Sequence, residues 1–349
     1  METNLEKTMY NVEKTEKKAT EQHKRLANFI KGTHGQLRNN SKIYGAIEAW
    51  KRHIAEKEKL KEYAECMHKL ATQHWTQNST DLSLNYSRIE WIKNQIKNYF
   101  LYQGVEKFDN KEISLMKSTL QEQENIELRI KTSYNSKLDI LDVGSCYNPF
   151  ENESFFNVTP IDIAPYSEDV IKCDFLNLKV DNQKTFSNDG ELIELPKNSF
   201  DAVIFSLLLE YIPCPKLRFS CCQKAFDLLK YGGILLIITP DSKHQGANTK
   251  IINTSWKATL SKVGFMRTHY EKLPHIHCLI FRKCFFKKAA IKRIDWRKIC
   301  LNDEVFTENK IFIPQDFQSR TEKDSDSNSI KERDDKKIVS SFMQLPFND

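Results

Sequence analysis

The spacing of apolar residues changes partway along the chain, and the first part has the spacing of helices. Over residues 41–75 large apolar side chains recur every three or four positions, which places them on one face of a helix. The first of them are Ile43, Ile47, Trp50 and Ile54. Similar patterns follow over 84–101 and 113–130. We predict an α-helical domain over 41–133, preceded by a polar, lysine-rich and mostly disordered segment over 1–40.

From residue 138 onward, short apolar runs bounded by turn residues alternate with longer stretches of helical spacing. This alternation is typical of βαβ units that build a parallel sheet. Seven runs are predicted strands: 138–143, 157–161, 170–172, 202–206, 234–239, and two late runs around 264–270 and 278–282. We predict an α/β fold with a seven-stranded, Rossmann-like domain over 134–317, followed by a polar, disordered tail over 318–349.

One glycine and one acidic residue indicate a nucleoside ligand. Gly144 directly follows the first predicted strand, where we expect free backbone amides, and Asp162 ends the second strand eighteen positions later. A carboxylate at that place can accept hydrogen bonds from both ribose hydroxyls. Residues 145–148 contain no further glycine, whereas a dinucleotide site needs three glycines within six residues. The pattern therefore favours a nucleoside without phosphates, and S-adenosylmethionine (SAM) is the commonest such ligand.

The ends of the next two predicted strands add candidate contacts. Ligands of parallel sheets bind beyond the carboxyl ends of the strands. Asp174 and Phe175 follow the third strand, so a carboxylate there can accept from the adenine amino group and the ring can lie against the purine. Ser206 ends the fourth strand, where a main-chain carbonyl can meet the ammonium group of the ligand.

Composition limits the classes of protein that fit. No apolar run approaches the ~20 residues needed to span a bilayer, and the first residues are charged rather than a signal peptide. The nine cysteines are scattered without a Cys-x-x-Cys pair, which is typical of reduced thiols. We predict a cytoplasmic protein without a membrane span or disulfide framework.

Two clusters outside the strand ends have competing interpretations. Residues 282–298 hold eight basic residues against the single acid Asp295, which fits either a solvated face or a surface that binds RNA. A metal site could be drawn from His275, His277, Cys278 and Cys284. Alternate residues of a strand point to opposite faces, so these four side chains cannot all converge, and we predict no metal site.

Longer motifs identify a family. The segments 200–213 and 232–241 resemble class I SAM-dependent methyltransferases. Three others closely resemble the SAMTOR family of SAM sensors: Leu-Asp-Val-Gly-Ser-Cys-Tyr-Asn-Pro-Phe at 141–150, Lys-Cys-Asp-Phe-Leu-Asn-Leu at 172–178, and Ile-Thr-Pro-Asp-Ser at 238–242 with His244-Gln245. The likeness extends to Arg88-Ile89-Glu90-Trp91 and Ile313-Pro314-Gln315-Asp316-Phe317. That family is itself related to a fungal methyltransferase acting on adenine in large-subunit ribosomal RNA.

The resemblance implies a helical domain that closes over a SAM pocket. The residues it assigns to ligand binding are Arg88, Gly144, Asp162, Asp174, Phe175 and Ser206. Arg88 is either a clamp for the ligand carboxylate or a partner of Glu90 or another acid in an interdomain ion pair. S-adenosylhomocysteine is implied as a second ligand of the same pocket.

The resemblance also implies partners. In its SAM-free form the protein would bind the GATOR and KICSTOR complexes and inhibit TOR complex signalling, and SAM would release it. Those partners would recruit the cytoplasmic protein to the lysosomal surface.

The alternative function is a SAM-dependent methyltransferase acting on adenine in ribosomal RNA. Many amino-group methyltransferases place Asn/Asp-Pro-Pro-aromatic after the fourth strand, and here the residues are Ser206-Leu207-Leu208-Leu209. Candidate bases for this alternative are Glu210, Tyr211 and His244. The sequence assigns no catalytic residue and leaves methyl transfer open.

Overall fold

The computed structural model describes residues 20–75, 87–117, 137–242, 245–299 and 303–320. Several predictions fall outside these ranges. They are the disorder predicted for residues 1–19 and 321–349, the start of the helical pattern over 84–101, most of the pattern over 113–130, and the candidate base His244. Within the described residues, no helix is both long enough and apolar enough to cross a membrane.

Three consecutive helices open the described chain. They are α1 (Glu21–Tyr44), α2 (Ala46–Ala55) and α3 (Lys57–Lys69), and a π-helical turn (Leu70–Trp75) continues α3. The hydroxyl of Thr20 caps α1 by accepting from the backbone amide of His23 at 3.2 Å. Disorder over 1–40 is therefore a wrong prediction for residues 21–40. The pattern misses α1 because its buried face includes polar residues, His23, Thr33 and His34 among them.

Two further helices precede the sheet. They are α4 (Arg88–Leu101) and α5 (Gly104–Lys117). The hydroxyl of Ser87 accepts from the amide of Glu90 at 3.2 Å and so fixes the start of α4. Trp91, Ile92 and Ile96 of α4 are buried against one face of the sheet.

A seven-stranded sheet forms the centre of the molecule, as predicted. Its strands are β1 (Leu138–Val143), β2 (Phe156–Asp162), β3 (Ile171–Lys172), β7 (Phe200–Ser206), β8 (Leu229–Pro240), β9 (Phe265–Leu273) and β10 (Ile276–Lys283). They lie in the order β3-β2-β1-β7-β8-β10-β9, and β10 runs antiparallel to both of its neighbours. The order of the first five strands is that of a Rossmann-like sheet, which confirms the predicted fold class.

A small second sheet was not predicted. It contains β4 (Lys179–Asp181), β5 (Thr185–Phe186) and β6 (Leu192–Pro196), in the order β4-β6-β5. The remaining helices are α6 (Pro215–Leu228), α7 (Gln245–Ala247), a π-helical stretch (Asn248–Ser255), α8 (Trp256–Val263) and α9 (Lys287–Lys292). Short 3₁₀ turns follow at Trp296–Lys298, Glu304–Phe306 and Pro314–Arg320.

The register of the sheet determines which strand ends meet. β1 pairs in parallel with both β2 and β7, and Val143 lies opposite Ile161 on one side and Phe205 on the other. The residues that follow these three positions therefore lie side by side at the carboxyl edge. This is the point where strand order reverses, and ligands of such sheets bind in the crevice there.

A buried arginine fixes the chain that follows β7. Arg218 of α6 is fully buried, and its Nε donates to the carbonyls of Leu209 at 2.9 Å and Ile212 at 3.0 Å. Its other nitrogens bind both oxygens of Asp316 at 2.6 and 3.1 Å. This bidentate pair connects the 313–317 segment to the loop beside the crevice.

Candidate functional site

A cavity lies beyond the carboxyl ends of β1, β2 and β7, and α2 and α3 cover it. Four of the six predicted site residues line it: Gly144, Asp162, Phe175 and Ser206. Other lining residues from the sheet side include Cys146, Cys173, Leu207 and Tyr211, and those from the helices are Trp50, Tyr63, Ala64 and Met67. The cavity therefore has one wall from the sheet and one from the N-terminal helices.

Gly144 forms the turn that ends β1. Its φ of +78° is in the region that favours glycine, and a Cβ there would lie 3.3 Å from Cδ1 of Leu208. The backbone amides of Gly144 and Ser145 both donate to the carbonyl of Ile161, at 2.9 and 3.1 Å. The expectation of free amides at these two positions is therefore wrong, because hydrogen bonding to β2 continues past the end of β1.

Asp162 lies beside Gly144 and keeps acceptor capacity. Its Oδ2 accepts from the amide of Cys146 at 3.0 Å, and its Oδ1 accepts from the amide of Ala164 at 2.8 Å. Burial raises the pKa of this carboxyl to about 6, and the neighbouring backbone amides act in the opposite direction. It is ionised at neutral pH, and its two oxygens together can accept more hydrogen bonds than the backbone amides donate.

Asp174 is close to the cavity but is already engaged. The indole Nε1 of Trp50 donates to both of its oxygens, at 3.0 and 3.2 Å. The carboxylate also accepts from the amide of Leu176 at 3.0 Å and from Nδ2 of Asn177 at 2.7 Å. The predicted acceptor of an adenine amino group thus holds the covering helix α2 in place.

Phe175 is buried at the cavity wall, edge to face with Phe205 at 5.7 Å between ring centroids. The ammonium group of Lys224 donates to the carbonyls of Phe175 and Leu176, at 2.7 and 2.9 Å. These contacts hold the loop after β3 in one conformation.

Arg88, at the start of α4, does not line the cavity but contacts a residue that does. Its Nε donates to Oγ of Ser206 at 3.2 Å. Glu90 pairs instead with Lys93, at 3.0 Å between Oε1 and Nζ. Burial raises the pKa of the nearby Asp142 carboxyl to about 7, and Arg88 opposes that rise. Arg88 is thus next to Ser206, at the end of the cavity where the methionine part of a SAM molecule is predicted.

An aromatic cluster joins the covering helices to the loop after β7. It consists of His34, Trp50, His53, Tyr63 and Tyr211. A ring nitrogen of His53 lies 2.5 Å from the Tyr211 hydroxyl, and one of His34 lies 2.8 Å from the Tyr63 hydroxyl. Burial lowers the pKa of His34 to about 3 and that of His53 to about 4. Both imidazoles are neutral at pH 7, so the cluster contains no buried positive charge.

The backbone around the cavity includes three non-glycine residues with positive φ. They are Cys146 at 60°, Asn148 at 53° and Leu207 at 62°. Such conformations cost about 1–3 kcal/mol each and concentrate at functional sites. Cys146 and Leu207 line the cavity, so two residues of its wall have this backbone conformation.

Two cysteine thiols belong to the wall of the cavity. Cys146 and Cys173 line the cavity, and burial raises the pKa of each thiol to about 12. They are therefore protonated at neutral pH.

The basic stretch over 282–298 is partly internal. Arg282 is fully buried and donates to the Tyr99 hydroxyl at 2.6 Å. Lys283 is buried and donates to the carbonyls of Phe226 at 2.7 Å and Leu229 at 2.8 Å. These two of the eight basic residues hold the fold together and do not present a surface to nucleic acid.

A histidine of the rejected metal site has other partners. His277 contacts Oδ1 of Asp241 at 3.1 Å through Nε2, and the Tyr270 hydroxyl at 2.9 Å through Nδ1. Throughout the described ranges, no three side chains of His, Cys, Asp or Glu lie close enough to hold a metal ion.

Comparison with known proteins places this chain in a family. The sequence profile of the family described as "25S rRNA (adenine(2142)-N(1))-methyltransferase, Bmt2" matches residues 103–313. A protein of Xenopus tropicalis named "S-adenosylmethionine sensor upstream of mTORC1" is 33% identical, over 93% of this chain and 84% of its own length. The protein of the same name from Danio rerio is 31% identical, over 93% of this chain and 85% of its own length.

Solved structures also match, at lower identity. The N-methyltransferase NodS from Bradyrhizobium japonicum, crystallised with S-adenosyl-L-homocysteine, is 12% identical with a TM-score of 0.32, over 64% of this chain and 98% of NodS. The [4+2]-cyclase SpnF is 13% identical with a TM-score of 0.32, over 43% of this chain and 75% of SpnF. The sequence matches are the stronger evidence, and by them the chain belongs to the Bmt2 methyltransferase family and is a homologue of the vertebrate S-adenosylmethionine sensor proteins.

Proposed function

We propose that the protein is a SAM sensor that inhibits TOR complex signalling when SAM-free. In that form it binds the GATOR and KICSTOR complexes, which recruit it to the lysosomal surface, and SAM binding releases it. The relatives named as sensors support this function. The observation on which it most depends is the position of Asp162 beside Gly144 in a cavity that the N-terminal helices cover.

The cavity fits the chemistry of SAM, with S-adenosylhomocysteine as a second ligand. The carboxylate of Asp162 accepts from the ribose hydroxyls, and the ring of Phe175 lies against the adenine. At the other end, Ser206 meets the ammonium group and the guanidinium of Arg88 binds the carboxylate.

The contact between Trp50 and Asp174 supplies the switch. The adenine amino group and the indole N–H of Trp50 are both donors, and they compete for the same carboxylate. A ligand shifts a conformational equilibrium by its different affinity for the two states. When the adenine amino group of SAM donates to Asp174 in place of Trp50, the attachment of α2 is therefore weakened and the covering helices change position.

Replacing Asp162 with alanine is expected to weaken SAM binding about 10–100-fold, because two hydrogen bonds to a charged acceptor are lost. Isothermal titration calorimetry with SAM measures the effect. Asp181→Ala is the control, since Asp181 lies in the small second sheet. Equal affinity of Asp162→Ala and the wild type would remove Asp162 from the site.

A paired assay tests the function itself. Purified protein is incubated with the GATOR and KICSTOR complexes over a range of SAM concentrations, and in parallel with ribosomal RNA and methyl-labelled SAM. A sensor loses its partners as SAM rises. Retention of both complexes at saturating SAM, together with labelled adenine in the RNA, supports the methyltransferase instead.

The methyltransferase alternative is favoured by one observation, the match to the Bmt2 profile over 103–313. Tyr211 is the candidate base that lines the cavity, and its hydroxyl contacts His53. Burial raises its pKa well above the usual value, so the hydroxyl stays protonated at neutral pH. This state does not suit a general base.

A further inference from the structure

We propose that an exposed apolar tip formed by Ile43, Tyr44 and Ile47, at the junction of α1 and α2, is the surface that docks an acidic protein partner. The inference rests on the proposed function, because it assigns the surface through which the SAM-free protein meets its partners. Beyond that function, it names the residues that contact the partner and the chemical character of the partner's surface.

The three side chains of the tip are exposed, although the sequence pattern places two of them, Ile43 and Ile47, on the same apolar face as Trp50. Ile43 is 68% exposed, Tyr44 47% and Ile47 74%. Trp50 continues the same apolar pattern and is only 5% exposed. Single exposed apolar residues are ordinary, whereas several adjacent ones mark a surface that another molecule covers.

The tip has a fixed shape. Gly45 joins α1 to α2 with φ +81°, which turns the chain sharply between the exposed residues. The guanidinium of Arg52 stacks on the Tyr44 ring at 4.0 Å from its centroid, and its Nε pairs with Glu48 at 2.8 Å. A surface held in one conformation before binding loses less entropy when a partner docks.

The charges around the tip determine the class of partner. Lys42, Lys51 and Arg52 are exposed beside it, and the acid among them, Glu48, is paired with Arg52. The edge of the tip is therefore positively charged, while the tip itself is apolar. Positive charges at the edge complement negative charges on a partner surface. The apolar side chains fit an apolar groove rather than a phosphate backbone. The partner surface is an apolar groove bordered by Asp and Glu.

The same short helix connects the tip to the ligand site. Ile47 is exposed on α2, and Trp50, one turn later, lines the cavity and donates to Asp174. Both residues belong to α2, a single helix of ten residues. A ligand that displaces Trp50 from Asp174 therefore reorients Ile47 against Ile43 and Tyr44, and the docking surface changes with it.

The test compares a double variant of the tip with a matched control. In Ile43→Asp/Ile47→Asp both changes are on exposed side chains, so the fold is retained. We expect binding to purified GATOR and KICSTOR complexes without SAM to weaken at least about 10-fold, as for central interface residues. SAM affinity stays within about twofold of wild type. The control is Phe186→Asp/Ile193→Asp in the second sheet, where the side chains are 47% and 42% exposed.

A charge reversal tests the acidic character of the partner. Lys51→Glu is expected to weaken the same binding, with a larger effect at low salt than at high salt.

Two outcomes would overturn the docking surface. The first is wild-type binding by the tip variant, and the second is a wild-type dimer in light scattering that the tip variant abolishes, since the tip would then bind a second copy of the chain. Failure of the wild-type protein itself to bind either complex is a separate result. It would reject the proposed function and this surface together.

Discussion

Replacing Gly144 with arginine is expected to abolish SAM binding, with a loss of affinity greater than about 100-fold, or about 2.7 kcal/mol. Gly144 has φ +78°, where a side chain is strained, and its Cβ would approach Leu208 to 3.3 Å. The arginine side chain would extend from the turn after β1 into the cavity that Asp162 and Phe175 line. Calorimetric titration with SAM measures the loss.

Gly190 provides a matched control. It has φ +76°, nearly the same backbone conformation, and no atom lies within 4 Å of the position of its Cβ. Gly190→Arg therefore introduces the same strain and the same charge away from the cavity. We expect it to bind SAM as the wild type does. An intact SAM titration in Gly144→Arg would show that the ligand does not bind beside this turn.

Replacing Arg282 with methionine is expected to lower the free energy of unfolding by about 3–5 kcal/mol. Its guanidinium is fully buried, donates to the Tyr99 hydroxyl, and pairs with Asp109 and Glu112 of α5. Burial already raises the pKa of both carboxyls, and without the guanidinium they would remain inside with no cation beside them. The midpoint of urea unfolding measures the effect.

Arg297 is the matched control for that variant. It belongs to the same basic stretch and pairs with Asp295 at 3.0 Å, but its side chain is 91% exposed. Arg297→Met is expected to leave the unfolding midpoint unchanged, because water solvates both charges of an exposed pair. Equal midpoints for Arg282→Met and Arg297→Met would show that the buried pairs do not stabilise the attachment of α5 to β10.

The central sheet could be predicted because its strands are buried on both faces. Leu138–Val143 and Phe200–Ser206 are mainly apolar and almost entirely buried, and such runs stand out from the polar turns around them. The second sheet could not be predicted in this way. β4 and β5 have only three and two residues, and their side chains are exposed or half-buried, so no buried apolar run marks them.

The N-terminal helices show the opposite error. Apolar spacing alone cannot distinguish a buried helix face from an exposed one. It therefore predicts Ile43 and Ile47 on the same buried face as Trp50, although both face solvent. The same spacing missed α1, whose packing depends on buried histidine and threonine side chains.

Site residues at the ends of strands can be predicted from the sequence. Contacts between segments far apart in the chain cannot. Gly144, Asp162 and Ser206 meet because parallel strands end at one edge. Trp50 reaches Asp174 across 124 positions of the chain, and His53 reaches Tyr211 across 158. No local pattern encodes such pairs, because they arise only when α2 packs over the sheet.

The two buried thiols of the cavity have a chemical consequence for a bound methyl donor. A thiolate attacks an electrophilic methyl group, and a neutral thiol does so far more slowly. With pKa values of about 12, Cys146 and Cys173 stay protonated at pH 7. In the proposed sensor, the thiols of the cavity wall therefore leave the methyl group of a bound SAM molecule in place.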